Sequence, residues 1–226
     1  MNPILKNNNF NRLNNNFDQL KEAYKSIRTN IQFSNVDENI KSILVTSSKQ
    51  NEGKSVVISN LAESFSSLEK KIIIIDADLR NPTIHKIFGL SNELGLTNII
   101  TKNKELEDCV YKDEVLGLDI LTSGTIPPNP SELLHSEKVK ELIDNLKKEY
   151  DYIFIDSPPI GIVTDAGILA SFSDGVIFVV GSDEVDNKMV KISKDRLYKV
   201  NANILGVILN KYKCNQNEYN YYKETD

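Results

Sequence analysis

The sequence predicts an α/β protein, a three-layer sandwich in which a mainly parallel sheet is flanked by helices. Two observations carry that expectation. Short runs that are apolar throughout alternate with stretches of helical periodicity: SILVTS at Ser42, KIIIID at Lys71, LDIL at Leu118, YIFID at Tyr152, GVIFVVG at Gly175 and ILGVILN at Ile204. Strands apolar on both sides belong to parallel sheets covered by helices on both faces and joined by right-handed crossovers. In addition, three of these runs lead into residues that handle charge, namely Gly53-Lys54-Ser55 after the first, and Asp76 and Asp156 at the ends of two others.

The elements follow in order. Residues 1–17 are rich in asparagine and read as a disordered N-terminal arm. From Asp18, Leu20, Tyr24, Ile27 and Ile31 recur at steps of three and four, the apolar face of a helix ending near Ser34, with Glu22, Lys25 and Arg28 on its other faces. Helices between the strands are expected at Ser55 to Leu68, Ser136 to Lys148, Thr164 to Phe172 and Asn187 to Val200. The domain is expected to close at Asn210. Residues 211–226 read as a flexible tail that carries Tyr212, Tyr219, Tyr221 and Tyr222.

With 226 residues, 40% hydrophobic and 26% charged, the chain fits one well-buried domain. No apolar run approaches the roughly 18 residues that cross a bilayer, and no basic-then-apolar leader opens the chain. The two cysteines, Cys109 and Cys214, lack metal-ligand or redox spacing, so a reducing cytosol is expected. A formal net charge of −5 argues against a broad nucleic-acid surface.

The stretch ILVTSSKQNEGKSVVISNLA reads as strand, tight loop and helix. Phosphate binding needs backbone N–H groups curled around the anion, a helix N-terminus aimed at it, a lysine for the terminal phosphate and a hydroxyl for Mg²⁺. Gly53, Lys54 and Ser55 fill the last places of that pattern, which predicts a P-loop NTPase fold with ATP and Mg²⁺ as cofactors. Ser48 and Gln50-Asn51 depart from G-x-x-x-x-G-K-[ST]; Asn51 can take a left-handed conformation at modest cost. Asp156 is the expected partner of Ser55 for Mg²⁺, a hard ion anchored by one or two carboxylates and phosphate oxygens. Asp76 and Asp78, two apart, point the same way while the backbone is extended, so one can take a proton while the other orients metal or water.

With these residues in hand, the chain resembles the bacterial tyrosine kinases of capsule and exopolysaccharide synthesis. The resemblance spans Glu22 to Asn210 and rests on EAYKSIRTNIQFS at Glu22, GKS at Gly53, DADLR at Asp76, SGTIPPNPSELL at Ser123, DSPP at Asp156 and LNKY at Leu209. It implies that the loop Asn51, Glu52, Gly53, Lys54, Ser55 and Val56 holds the nucleotide, with Asn210 at the adenine. It further implies that Ser55 and Asp156 serve Mg²⁺ and that Asp76 is the base toward the tyrosine hydroxyl, with Asp78 as its accomplice. The family's E-x-x-R-x-x-R here reads Glu22, Lys25, Arg28, and implies a ring-like homo-oligomer. Lysine in the middle place keeps charge without the bidentate fork.

By the same resemblance Tyr219, Tyr221, Tyr222 and Tyr212 are the phosphoacceptors. A transmembrane adaptor recruits the chain to the inner face of the membrane, and a protein-tyrosine phosphatase reverses the modification. Two other functions compete. A partitioning or division-site ATPase switch shares the loop and the acidic strand ends, and Lys49 falls at its signature lysine, but such proteins have Gly-Gly where this chain has Gln50-Asn51. A regulator that binds ATP without transfer is the third.

Overall fold

The computed structural model describes residues 3–34 and 39–213, with side chains described for 19–34 and 39–213. Seven strands form one sheet: β1 (Ser42–Ser47), β2 (Ile72–Asp76), β3 (Val110–Asp113), β4 (Leu118–Leu121), β5 (Tyr152–Asp156), β6 (Gly175–Gly181) and β7 (Ile204–Asn210). Their order is β3-β4-β2-β5-β1-β6-β7. All pairings are parallel except β3 with β4. Six strands stand where the apolar runs place them. The seventh, VYKD, is a short edge strand held on one side only, and its mixed polarity carries no strand signal.

The helices are α1 (Pro3–Ser34), α2 (Lys54–Ser66), α3 (Ile84–Ile87), α4 (Leu96–Lys102), α5 (Pro130–Leu134), α6 (Glu137–Glu149), α7 (Asp165–Ala170) and α8 (Asn187–Lys199). A 3-10 turn at Leu106–Asp108 completes the set. The four expected connecting helices are α2, α6, α7 and α8. The short α3, α4 and α5 lack the length that gives a periodic signal.

One expectation is corrected. The asparagine-rich segment is not a separate disordered arm, because α1 begins at Pro3 and continues through it. Phe10, Leu13 and Phe17 extend the Leu20, Tyr24, Ile27, Ile31 series at the same steps of three and four. Asparagine costs under about 1 kcal/mol per helical position, which does not stop a helix already formed downstream. The tyrosines of the tail at 219, 221 and 222 lie outside the described residues.

Consecutive side chains go to opposite sides, and from β4 to β6 both faces of the sheet are buried, whereas the edge strand β7 leaves Val207 and Leu209 more than half exposed. Leu44, Ile73, Ile75, Ile153, Ile155 and Phe178 join the core under α4 to α8. Their neighbours Ile43, Val45, Ile72, Ile74, Phe154 and Ile177 join the core under α1, α2 and α3. In that second core Phe65 of α2 packs edge-on to Tyr152 and Phe154, with ring centroids 4.5 and 5.4 Å away. This packing fixes the C-terminal end of α2 against the first half of β5.

Candidate active site

The centre of the sheet brings three strand ends together. In register, Asp156 of β5 sits opposite Asp76 of β2 on one side and Val45 of β1 on the other. The loop after β1 and both acidic strand ends therefore share one crevice at the carboxyl edge, where open parallel sheets bind ligands.

The loop is shaped by backbone geometry. Gly53 caps α2 with φ 90° and ψ 20°, and Asn51 takes φ 65°, the left-handed place expected of it. No side chain caps α2, so its first N–H groups are left for an anion. Glu52 is fully buried, and its carboxylate accepts from the N–H of Lys49 at 2.7 Å and of Gly181, the last residue of β6, at 2.9 Å. A loop without its usual glycines is thus clamped by a side chain to the neighbouring strand. Sequence reasoning placed Glu52 at the nucleotide; its carboxylate instead holds the loop's shape.

Two residues at the end of β7 close the back of the loop. The amide of Asn210 donates to the Glu52 carbonyl at 2.8 Å. Lys211 donates to the Asn51 carbonyl at 2.5 Å and to both oxygens of Glu184, at 2.8 and 2.9 Å. Asn210, expected at the adenine ring, is engaged with the loop backbone.

Lys54 is 7% exposed, and among the described residues no hydrogen bond or ion pair holds its ammonium. Its charge acts on Asp78 and Asp156 at a distance, and a buried ammonium with its donors unfilled fits a site built for phosphate oxygens. Ser55 donates to Asp156 Oδ2 at 2.6 Å and accepts from the Thr83 hydroxyl at 2.6 Å. Asp156 is fully buried and its Oδ1 has no hydrogen-bond partner. Burial pushes its carboxyl up to about 6, against the pull of Lys54 and Ser55. An orphaned carboxylate oxygen beside a serine hydroxyl suits a hard cation that shares its shell with phosphate and water. Among the described residues no group of three His, Cys, Asp or Glu could hold a metal alone, so the donors left to such an ion are few. Thr83 carried no sequence signal; only the loop after β2 brings it in.

The two carboxylates of DADLR do different things. Asp76 is fully buried and accepts from the backbone N–H of Thr83 and Ile84, both at 3.0 Å, and of Asp78 at 3.2 Å, so it ties β2 to the start of α3. Burial, then the nearby Asp156, holds its carboxyl well above the ordinary range. Asp78 is 8% exposed and accepts from the N–H of Asn81 at 3.0 Å. Burial raises it too, while Asn81 and Lys54 pull it back. Arg80 grips Asp165 at 2.7 and 3.1 Å and donates to Ser131 at 2.9 Å. That fork fastens the loop after β2 to α5 and α7, another contact with no sequence signal.

The residues expected to assemble copies lie elsewhere, on α1. Glu22 and Lys25 are exposed and pair with each other at 3.0 Å. Arg28 turns inward, donating to the Ser64 carbonyl and, at 2.8 Å, to the Ser67 hydroxyl at the end of α2. Val56 is 53% exposed on the first turn of α2, and Tyr212 is 56% exposed beyond β7. The arrangement as a whole can bind a polyphosphate, neutralise its charge and offer a carboxylate of raised basicity beside it.

Comparison with known proteins agrees with that chemistry. The family described as AAA domain matches residues 40–212. Over 206 residues the chain is 42% identical to the tyrosine-protein kinase YwqD of Bacillus subtilis, covering 91% of this chain and 87% of that one. The solved kinase domain of the Escherichia coli tyrosine kinase ETK superposes with a TM-score of 0.83 at 31% identity, covering 87% of this chain and 77% of that one. The septum site-determining protein MinD from Pyrococcus horikoshii, solved with Mg-ADP, superposes less well, with a TM-score of 0.66 at 25% identity over 78% of this chain and 72% of that one.

Proposed function

Since the chain belongs to the bacterial tyrosine-protein kinases and is itself a tyrosine kinase on a nucleotide-binding P-loop fold, we propose that it transfers the γ-phosphoryl group of ATP to its own C-terminal tyrosines. The acceptors are Tyr219, Tyr221, Tyr222 and Tyr212 of a second copy, and the modification regulates capsular or exopolysaccharide synthesis.

The observation that carries this reading is the buried ammonium of Lys54, without a hydrogen bond among the described residues and acting on the buried carboxylates of Asp78 and Asp156, the second of which has an orphaned oxygen. The backbone of Asn51 to Ser55 and the N-terminus of α2 cradle the phosphates, and Lys54 stabilises charge as it shifts to the leaving oxygen. Ser55 and Asp156 would hold Mg²⁺, which when bound supplies charge neutralisation across the terminal phosphates. The bond from the γ-phosphorus to its bridging oxygen breaks, a bond to the phenolic oxygen forms, and ADP leaves. The phenolic proton goes to a carboxylate. Asp78 receives it in this reading, because Asp76 is held by three backbone N–H groups and Asp78 is the one that solvent reaches. Free tyrosine has a pKa near 10, so the proton moves late, when the phenol is already losing electron density.

Assembly into a ring through the α1 face of Glu22, Lys25 and Arg28, the last also anchoring that face to α2, presents one copy's tail to another's crevice. A membrane adaptor at the inner face of the membrane and a tyrosine phosphatase complete the cycle. No helix among the described residues is long and apolar enough to cross a membrane.

Incubation of the purified chain with labelled ATP and Mg²⁺ tests the reading. Phosphotyrosine on the peptide that carries residues 219–222 is the expected product. Free phosphate without phosphotyrosine would instead mean a switch ATPase, and neither product a regulator that only binds.

A further inference from the structure

Beside the phosphate site, between α7 and α8, lies a cavity of about 720 Å³. Its floor is apolar, made by Ile160, Ile162, Ile168 and Val200, and Ile162 is left 51% exposed there. Arg196 and Lys199, three residues apart on one face of α8, stand over it. Arg196 donates one N–H to the Ile160 carbonyl at 2.8 Å, and neither cation forms an ion pair among the described residues. Arg80 also reaches the cavity, already neutralised by Asp165. No acidic side chain lines it. Two unneutralised cations over an apolar floor, on a chain of net charge −5, call for a ligand that is flat and apolar in its body and anionic at its end. A phosphotyrosine has that form.

We infer that this cavity docks the chain's own C-terminal segment, residues 214–226, once that segment carries phosphotyrosine. The inference rests on the tail being the phosphoacceptor. Three tyrosines and no aliphatic side chain occupy the segment, and Glu218, Glu224 and Asp226 against Lys223 give it a net charge of −2. Each phosphate adds about −1.5 to −2. The reach is ample. Lys211, just before the segment, is fixed to Asn51 of the phosphate loop. Gly161, between two floor residues, lies against the same loop, its would-be Cβ 2.1 Å from the Ser48 carbonyl. Departure point and cavity therefore flank one loop, whereas thirteen extended residues span up to about 45 Å. Docking would park a modified tail away from Lys54 and leave the crevice to the next acceptor.

The test uses the full chain carrying Tyr219→Phe, Tyr221→Phe and Tyr222→Phe, so that its own segment cannot be modified. A fluorescent synthetic peptide of residues 215–226 with all three phosphotyrosines is titrated by anisotropy against its unphosphorylated and scrambled phosphorylated forms. The phosphopeptide is expected to bind about 10-fold more tightly than either control, and Lys199→Ala and Arg196→Ala each to remove most of that preference. Lys199 is exposed and without an ion pair, so its variant keeps the fold even if Arg196→Ala loosens the Ile160 loop. Equal binding of the three peptides, or a preference untouched by Lys199→Ala, overturns the inference. Displacement of the phosphopeptide by ATP from wild type and Lys199→Ala alike would also overturn it. Because the phosphates are synthetic, the outcome is independent of whether the chain labels itself, which the labelled-ATP experiment decides separately.

Discussion

The amide nitrogen of Asn210 stands 2.1 Å from where a Cβ on Gly53 would be, and it donates to the carbonyl of the residue before that glycine. End of the last strand and start of the phosphate-loop helix are thus in direct contact.

Gly53→Ala should therefore fail twice, once on φ +90° and once against the Asn210 amide. A left-handed alanine alone costs roughly 1–2 kcal/mol. A fall in stability of about 2 kcal/mol or more, with loss of nucleotide binding, is expected by thermal unfolding and nucleotide titration. Adding Asn210→Ala relieves the contact but not the backbone strain, so it should recover part of the stability and none of the phosphorylation.

Lys54→Met should lower phosphorylation by about 100-fold or more, since the lysine acts on transferring charge. Its effect on folding should be small, because no hydrogen bond or ion pair among the described residues holds the ammonium and what is lost is its pull at a distance on Asp78 and Asp156; thermal unfolding without nucleotide should show a midpoint within about 4 °C of wild type. A large drop in that midpoint would mean that the lysine holds the fold.

Asp156→Asn keeps an acceptor for the Ser55 hydroxyl but removes the charge beside the orphaned oxygen. The Mg²⁺ concentration for half-maximal phosphorylation should rise about 10-fold or more, and saturating Mg²⁺ should restore part of the rate. No change in the Mg²⁺ requirement would remove Asp156 from the metal site.

The Arg80–Asp165 fork gives a pH signature. Burial would raise the Asp165 carboxyl, but the hydrogen bonds from Arg80 and Ser131 prevail and hold it below the ordinary carboxylate range. A folded-state pKa below the unfolded one contributes stability above the unfolded value, near 4, and loses it as pH falls through the folded value. Arg80→Ala strands a buried carboxylate, and with Arg80 itself 41% exposed the cost at pH 7 should be about 2 kcal/mol. Denaturant titrations at pH 7 and pH 4 should show the gap between variant and wild type shrinking at the lower pH.

Arg28→Glu should cost both assembly and about 1 kcal/mol of stability, because its guanidinium holds α1 to the end of α2. Glu22→Lys separates the two effects. It breaks only an exposed pair, so light scattering should show smaller species while thermal unfolding stays within about 0.5 kcal/mol of wild type.

Much of this was legible in the residues. Five apolar runs announced strands because burial on both faces leaves no alternation to confuse the reading, and ILGVILN reads the same way although its edge strand is partly exposed, whereas VYKD at the other edge has mixed polarity and no such signature. The convergence of Gly53, Lys54, Ser55 and Asp156 at one edge of the sheet was legible because each follows or ends an apolar run that becomes a parallel strand. The jobs of Glu52, Asn210 and Arg28 were not, since each acts on a backbone or hydroxyl group distant in sequence, and a carboxylate, amide or guanidinium suits many partners. Asp76 shows the same limit: its type marks the acidic loop, and only the folded chain reveals that it binds the start of α3. The start of α1 was misread because asparagine is a weak helix former, while the apolar spacing from Phe10 onward was already present.

The seating of Lys211 on Asn51 has a practical side for anyone handling the protein. A dye attached at position 213 would ride on the rear of the nucleotide loop, so its emission should report occupancy without touching the crevice. By the same geometry, a bulky affinity tag joined close behind that lysine would load the loop and depress nucleotide affinity. One joined ahead of α1 would not.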